Sequence, residues 1–304
     1  MTLHRTSPDP QMVKQAHAQA RAWAGIFRLP LRQQKWRGLA GNHAGMGTGS
    51  SLDFQDHRAY SPGDDPRHIN WQAYARTGTY SMKLFREEVR PVIDILWDAS
   101  RSMWFDLSKA KRAAELMAFT VEASLRAGTT PQVWLAQGTT LTLLPPEAAV
   151  AGLWTSFLTP SLATSDSSPS SPLPAFDRVP WRARSLRLVV SDLLFPGDPT
   201  HLMSHLSSQQ GRGVILAPFC PAESDPIWQG NIDFEEVETN QRHSRRVEAN
   251  LLQRYRQAYA RHFTLWKETS RRQGVALAQV SSEGAFPQSL QLEALPSGAV
   301  EPWA

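Results

Sequence analysis

The stretch "VIDILWDASRSM" (residues 92–103) runs Ile93, Ile95, Leu96 and Trp97 into Asp98, then sets Ser100 and Ser102 at alternate positions. A short apolar run rich in β-branched and aromatic residues reads as a buried strand. An ordinary strand end turns on Gly, Asn or Pro. Here the turn carries three hard oxygen donors instead. That donor set suits Mg²⁺ or Mn²⁺, ions that accept carboxylate and hydroxyl oxygens and keep some waters. A Ser/Asp cap on the following helix is the other reading of the same residues.

Working outward, "LSKAKRAAELMAFTVEASLRAG" (107–128) places Ala110, Ala113, Leu116, Met117, Val121 and Leu125 at helical spacing before a Gly stop. "PQVWLAQGTTLTLLP" (131–145) predicts two short strands around Gly138, and "EAAVAGLWTSFL" (147–158) predicts a helix. "SLRLVVSDLL" (185–194) is a second buried strand that ends in an acid, Asp192. A helix over 199–210, a strand "GVILAPF" (213–219), a strand-like "IDFEEVE" (232–238), a helix over 247–273 and a strand "VALAQV" (275–280) complete the series. In the long helix, Leu251, Tyr255, Ala258, Tyr259, His262 and Trp266 form one stripe. Strands alternating with helices predict an α/β fold: a doubly wound, mostly parallel sheet covered on both faces, Rossmann-like, with an N-terminal extension. Ligands of such sheets bind beyond the carboxyl ends of the strands, where Asp98, Ser100, Ser102 and Asp192 all fall.

Ahead of this region, residues 9–28 have helical character, while "RGLAGNHAGMGTGSS" (37–51) is glycine-rich, lacks the Lys of a phosphate loop and reads as an irregular connection. "LTPSLATSDSSPSSPLP" (158–174) is a Ser/Pro-rich loop. The expected division is a helical segment 1–36, an extension 37–90, an α/β domain 91–295 and a tail 296–304.

The single cysteine, Cys220, excludes an intramolecular disulfide framework and fits a reducing compartment. The N-terminus has no apolar signal region and no run of about eighteen apolar residues occurs, so a cytoplasmic protein without a membrane span is expected. The formal charge is only +4, yet residues 242–272 hold eight Arg and one Lys against two Glu. That density raises nucleic-acid binding as an alternative, weighed against the solvated face of a helix. No Gly-x-Ser-x-Gly, His-Glu-x-x-His or paired cysteines occur.

The order strand, "DASRS", amphipathic helix, hairpin and "LRLVVSD" resembles a von Willebrand factor A domain. The resemblance implies a metal-ion-dependent adhesion site formed by Asp98, Ser100, Ser102 and Asp192, with Thr164 of the Ser/Pro-rich loop as the candidate threonine. A longer stretch, "SSLDFQDHRAYSPGDDPRHINWQAYARTGTYSMKLFREE" (50–88), resembles the bacterial domain-of-unknown-function family 58. Its matching residues include Arg58, Tyr60, Pro62, Gly63, Asp64, Asp65, Arg67, Trp71 and Arg76. Members lie near genes for MoxR-type AAA+ ATPases, so the resemblance implies such a partner.

Physically, "SPGDD" is a turn, and Asp64 and Asp65 are expected to pair with Arg58, Arg67 or Arg76. "YSMKLF" (80–85) alternates as a strand extending the sheet edge, and Trp71 is expected to pack beneath the turn. The reading is a non-enzymatic protein-interaction module binding partners through a cation, acting with a MoxR-type ATPase in complex assembly or maturation. A metal-dependent hydrolase using the same crevice is the enzymatic alternative.

Overall fold

The computed structural model describes residues 8–31, 40–48, 54–89, 91–158, 175–235 and 242–303. They form two compact units, one of residues 1–30 with 92–304 and the other of residues 31–91. The N-terminal helix and the C-terminal residues thus belong with the α/β sheet, where the sequence placed them as separate segments.

The chain begins with α1 (Pro10–Trp23), started by Asp9, whose carboxylate accepts from Gln11 N at 2.9 Å, and by Pro10 in the first turn. Next, β1 (Phe27–Arg28) pairs antiparallel with the last strand, β13 (Glu301–Pro302), and so ties both ends of the unit together.

The smaller unit holds β2 (Ala40–Thr48), β3 (Phe54–Ala59), α2 (Trp71–Thr77) and β4 (Ser81–Val89). Its three strands form an antiparallel sheet in the order β2-β4-β3. Two expectations fail here. Residues 40–48 of the glycine-rich stretch form a strand, because a backbone ladder with β4 needs no side chains. The strand containing Lys83 and Phe85 does not extend the main sheet; it is the centre of this separate one.

The larger unit continues with β5 (Ile93–Asp98), α3 (Leu107–Arg126), β6 (Gln132–Gln137), β7 (Thr140–Leu144) and α4 (Pro146–Val150). It then runs through β8 (Leu186–Val190), α5 (Pro199–Ser207), β9 (Arg212–Phe219), α6 (Pro221–Ser224), β10 (Gly230–Glu235) and β11 (Arg242–Val247). The long α7 (Ala249–Arg272), β12 (Ala276–Ser281) and α8 (Phe286–Ser289) follow. Six strands form one sheet in the order β12-β9-β8-β5-β6-β7, parallel except for β7. The fold is the expected doubly wound α/β sheet, with β5 and β8 at its centre.

Alternate residues of the strands feed opposite cores. Leu96, Val189 and Ile215 join Leu202, Leu206, Phe263 and Trp266 of α5 and α7 on one face. On the other face Trp97 donates to Thr120 of α3 at 3.3 Å and meets Trp154 edge-on. Because α1 covers the outer side of α3, that helix is buried nearly all round, beyond the single stripe its spacing predicts.

The helix expected over 147–158 ends at Val150. Gly152 there takes φ +69°, and a Cβ on it would lie 2.7 Å from the His17 ring of α1. The helix therefore breaks and resumes as a single 3₁₀ turn, Trp154–Phe157. Asp94, polar in an otherwise apolar strand, is buried but accepts from Arg182 N at 2.9 Å and Arg182 Nε at 2.6 Å.

Candidate functional site

The parallel order brings the carboxyl ends of β5, β8 and β9 side by side, and each delivers an acid. Asp98 is buried; it accepts from Ser100 N at 2.9 Å and from the Ser191 hydroxyl at 2.6 Å. Ser100 Oγ lies 3.1 Å from Ser102 Oγ, so the alternate serines converge on one spot. Asp192, next to Ser191 and also buried, accepts from Leu194 N at 3.0 Å and from Lys109 Nζ at 2.7 Å. Lys109 Nζ reaches Glu223 at 2.5 Å, and the other oxygen of that carboxylate accepts from Cys220 N at 2.8 Å. Two buried carboxylates, Asp192 and Glu223, thus share the buried ammonium of Lys109, and Asp98 is the neighbour of Asp192. Thr164 lies outside the described residues.

Burial, and next to it the charge of Asp192, push the Asp98 carboxyl up to about 7, against the opposing hydrogen bonds from Ser191 and Ser100. Burial also raises Glu223, with Lys109 opposing it. For Lys109, burial pulls downward, but the carboxylates of Asp192 and Glu223 outweigh it and hold the ammonium charged. Just beyond Asp192, Leu193 has φ 59°, a left-handed conformation that costs a branched side chain energy. It is held there: Leu193 N donates to Ser191 Oγ at 3.1 Å, and its carbonyl lies 2.9 Å from His262 Nε2.

The sequence brings Asp98, Ser100, Ser102 and Asp192 to one edge, but it missed Lys109 and Glu223. A signal for the acid existed: "FCPAE" ends β9 as "VVSD" ends β8. Among the described residues no group of three or more His, Cys, Asp or Glu side chains is arranged to hold a metal. A cation here would depend on hydroxyls. In an octahedral Mg²⁺ shell with ligands at about 2.0–2.1 Å, neighbouring oxygens sit about 3 Å apart. The Ser100–Ser102 separation fits that spacing.

The residues of the 50–88 stretch fall in the smaller unit. Asp64 accepts from Arg58 through both oxygens, at 2.7 and 2.5 Å, and caps the Ser61–Asp64 turn, where Gly63 takes φ +104°. The Arg58 hydrogen bonds hold the Asp64 carboxyl below the ordinary range. Asp65 accepts from the Arg67 side chain at 3.0 and 2.8 Å, which holds its pKa at about 2. Tyr60 meets Tyr80 at 6.1 Å, Pro62 is exposed, and Arg76 is exposed in the last turn of α2.

Trp71 does not pack beneath the turn. It is 58% exposed and touches Tyr74 and Tyr80 edge-on at 6.2 and 6.4 Å, while Ile69 and Met82 are among the described residues of this unit that are buried. Trp71→Ala is therefore expected to cost no more than about 1 kcal/mol, the worth of its ring contacts, in urea denaturation followed by circular dichroism. A loss of about 3 kcal/mol would restore the core assignment.

The Arg-rich region 242–272 divides into β11 and α7. Arg242 pairs with the half-buried Glu235, and Arg246 with Glu248 and Arg256 with Asp225 form exposed pairs. Trp266 is buried, while Tyr255 and Tyr259 lie half-buried in a ring series with Trp228 and Phe263. These rings are engaged by the protein, which disfavours base stacking. Among the described residues no helix is long and apolar enough to cross a membrane.

Comparison with curated proteins gave no match. Two solved structures are similar at 14% identity. One is an aerotolerance-related membrane protein from Bacteroides fragilis NCTC 9343 carrying multiple mutations to serines (TM-score 0.33, 60% of this chain and 99% of that chain covered). The other is the conserved hypothetical protein BatB from Bacteroides thetaiotaomicron (TM-score 0.32, 68% of this chain and 98% of that chain covered). The family model described as "Protein of unknown function DUF58" matches residues 56–265, more than half of the chain, and the chain belongs to that family.

Proposed function

We propose that the protein is a non-enzymatic interaction module whose sheet edge binds an acidic side chain of a partner protein through Mg²⁺ or Mn²⁺. The observation that carries this reading is the convergence of a buried carboxylate, Asp98, with two half-buried hydroxyls, Ser100 and Ser102, at the carboxyl edge of the sheet. When bound, the cation supplies a positive centre with open positions for an incoming carboxylate. Asp98, Ser100 and Ser102 would hold it, while Asp192, shared with Lys109, supplies balancing charge from beside it. Ser191 and the Leu193 turn fix the Asp98 carboxylate in place.

Binding is favoured over hydrolysis because the groups suited to act as a base are held. Glu223 is bonded to Lys109 and Cys220 N, and His262 Nε2 is bonded to the Leu193 carbonyl. The resemblance of residues 50–88 supports a MoxR-type AAA+ ATPase as the partner and complex assembly or maturation as the role. The proposed compartment is the cytoplasm, where the lone Cys220 stays reduced.

Thermal denaturation in EDTA and in millimolar MgCl₂ or MnCl₂ tests the site. The cation should raise the melting temperature of the wild type by mass action; occupancy at one hundred times Kd corresponds to about 2.7 kcal/mol. Ser100→Ala with Ser102→Ala should fold and lose this response. A double variant that responds like the wild type would remove the cation from these serines. A pull-down from the native host with intact and Asp98→Ala protein tests the partner: capture of the ATPase by both would detach the interaction from this edge.

A further inference from the structure

Among the described residues, β10 and β11 pair only with each other, as an antiparallel ribbon apart from the six-stranded sheet. The residues from Arg242 to Arg246 are all exposed, and of β11 only Val247 is buried. Alternate residues of an antiparallel strand direct their N–H and C=O away from the partner strand. No described residue outside the ribbon hydrogen-bonds to the main chain of Arg242–Val247, so β11 presents an open edge.

The ribbon is tied to the body by rings. Phe234 meets Trp228 at 5.1 Å, and Trp228 meets Tyr255 of α7 at 5.2 Å. The Tyr255 hydroxyl donates to the Glu223 carbonyl at 2.8 Å, and Arg256 pairs with Asp225 at 2.5 Å. The register separates the charges of the ribbon. On one face Arg242 opposes Glu235, Ser244 opposes Asp233 and Arg246 opposes Asn231. There Glu235 takes Arg242 at 3.1 Å, Asp233 accepts from Ser244 at 2.5 Å, and Arg246 pairs with Glu248 at 3.4 Å. On the other face His243 opposes Phe234 and Arg245 opposes Ile232. Neither His243 nor Arg245 has a hydrogen bond or an ion pair among the described residues.

We propose that β11 is a docking edge for an extended acidic segment of a partner protein, which adds beside it as a third strand. A two-stranded ribbon is marginal by itself, and an added strand completes its main-chain hydrogen bonding. Acidic side chains on that strand would meet Arg245, which the acids of the ribbon leave unpaired. A second copy of the chain is disfavoured, because β11 set against β11 opposes arginine with arginine or histidine. A phosphate surface, whether nucleic acid or lipid, offers acceptors to the arginines and leaves the edge carbonyls unmet. A peptide strand supplies donors and acceptors alike. The proposal is independent of a cation at Asp98.

Fluorescence anisotropy in EDTA at low salt, with the full chain and labelled acetyl-Thr-Glu-Val-Asp-Val-Glu-Thr-amide, tests it. Saturable binding is expected, with the neutral analogue Thr-Gln-Val-Asn-Val-Gln-Thr at least about tenfold weaker. N-methylation of two successive central residues blocks both edges of the peptide and should also weaken binding at least about tenfold. Hydrogen exchange of the Arg242–Arg246 amides should slow in the complex. Arg245→Glu, an exposed change expected to melt as the wild type does, should weaken the acidic peptide about tenfold. Absence of binding, a neutral or N-methylated peptide that binds as the parent does, unchanged exchange at β11, or an Arg245→Glu variant with wild-type affinity would each overturn the proposal. So would oligothymidylate or phosphatidylserine vesicles that bind more tightly than the peptide and displace it, which would assign the edge to phosphate.

Discussion

Lys109→Met is expected to lower the unfolding free energy by about 3–5 kcal/mol, because it strands two buried carboxylates that share one ammonium. Asp192 and Glu223 are 2.7 and 2.5 Å from Lys109 Nζ, and the lysine side chain is fully buried. With the charge removed, each carboxylate must be desolvated without a counter-ion or take up a proton. The packing of the helix changes little, since Met matches the stem of Lys and the Phe105 ring 5.0 Å from Nζ can meet either. Urea denaturation of the metal-free protein at neutral pH measures the loss. Adding Asp192→Asn and Glu223→Gln to Lys109→Met should recover much of it, since the stranded charges are then gone. A single variant with the wild-type midpoint would show that the triad contributes nothing to stability.

The second large effect comes from Asp98 and has the opposite sign. An ordinary Asp titrates near 3.8, and this one near 7, because burial and Asp192 disfavour its charged form. Between those values the folded protein holds a proton that the unfolded chain has released. The contribution of Asp98 to stability in EDTA is therefore greatest below about pH 4 and is lost as pH rises to about 7, by roughly 4 kcal/mol for this group. Asp98→Asn removes the titrating group while keeping an oxygen that can accept from Ser100 N. In EDTA at pH 7 the variant should be about 2–4 kcal/mol more stable than the wild type, with the difference vanishing near pH 4. It should also lose the response to Mg²⁺, the pattern of a residue retained for binding at the expense of stability. Guanidinium melts across this pH range would decide it: an Asn variant less stable than wild type at pH 7 would mean that the fold depends on the charged carboxylate.

Much of this arrangement is legible in the sequence where its determinants are local. The apolar run 92–97 declares a strand buried on both faces, and "DASRS" declares its end. Helix α7 is visible from its period, although its outer stripe is not all buried: Leu251 is 40% exposed, and the full seal comes at Phe263 and Trp266. Strand β2 was hidden because glycine carries no side-chain period, and β11 was hidden because an exposed ribbon of Arg, His and Ser has no apolar face to read. Trp71 misled for a related reason: aromatic character signals burial only when a core is present to receive it.

The candidate site divides along the same line. Residues within five positions, Asp98, Ser100 and Ser102, are brought together by the strand end itself, so their convergence is written in the chain. The alternation of strand and helix likewise determines that Asp192 arrives at the same edge of a parallel sheet. What sequence does not contain is the choice of partner across the fold. Lys109 reaches Asp192 and Glu223 over separations of 83 and 114 residues. Arg112, one turn further along the same helix, meets the Gly284 carbonyl over a separation of 172 residues. Periodicity encodes whether a residue faces a core, through the repeat of the helix or strand. Which charge it meets there depends on strand order and on which helices cover each face, and those follow from packing of the whole sheet.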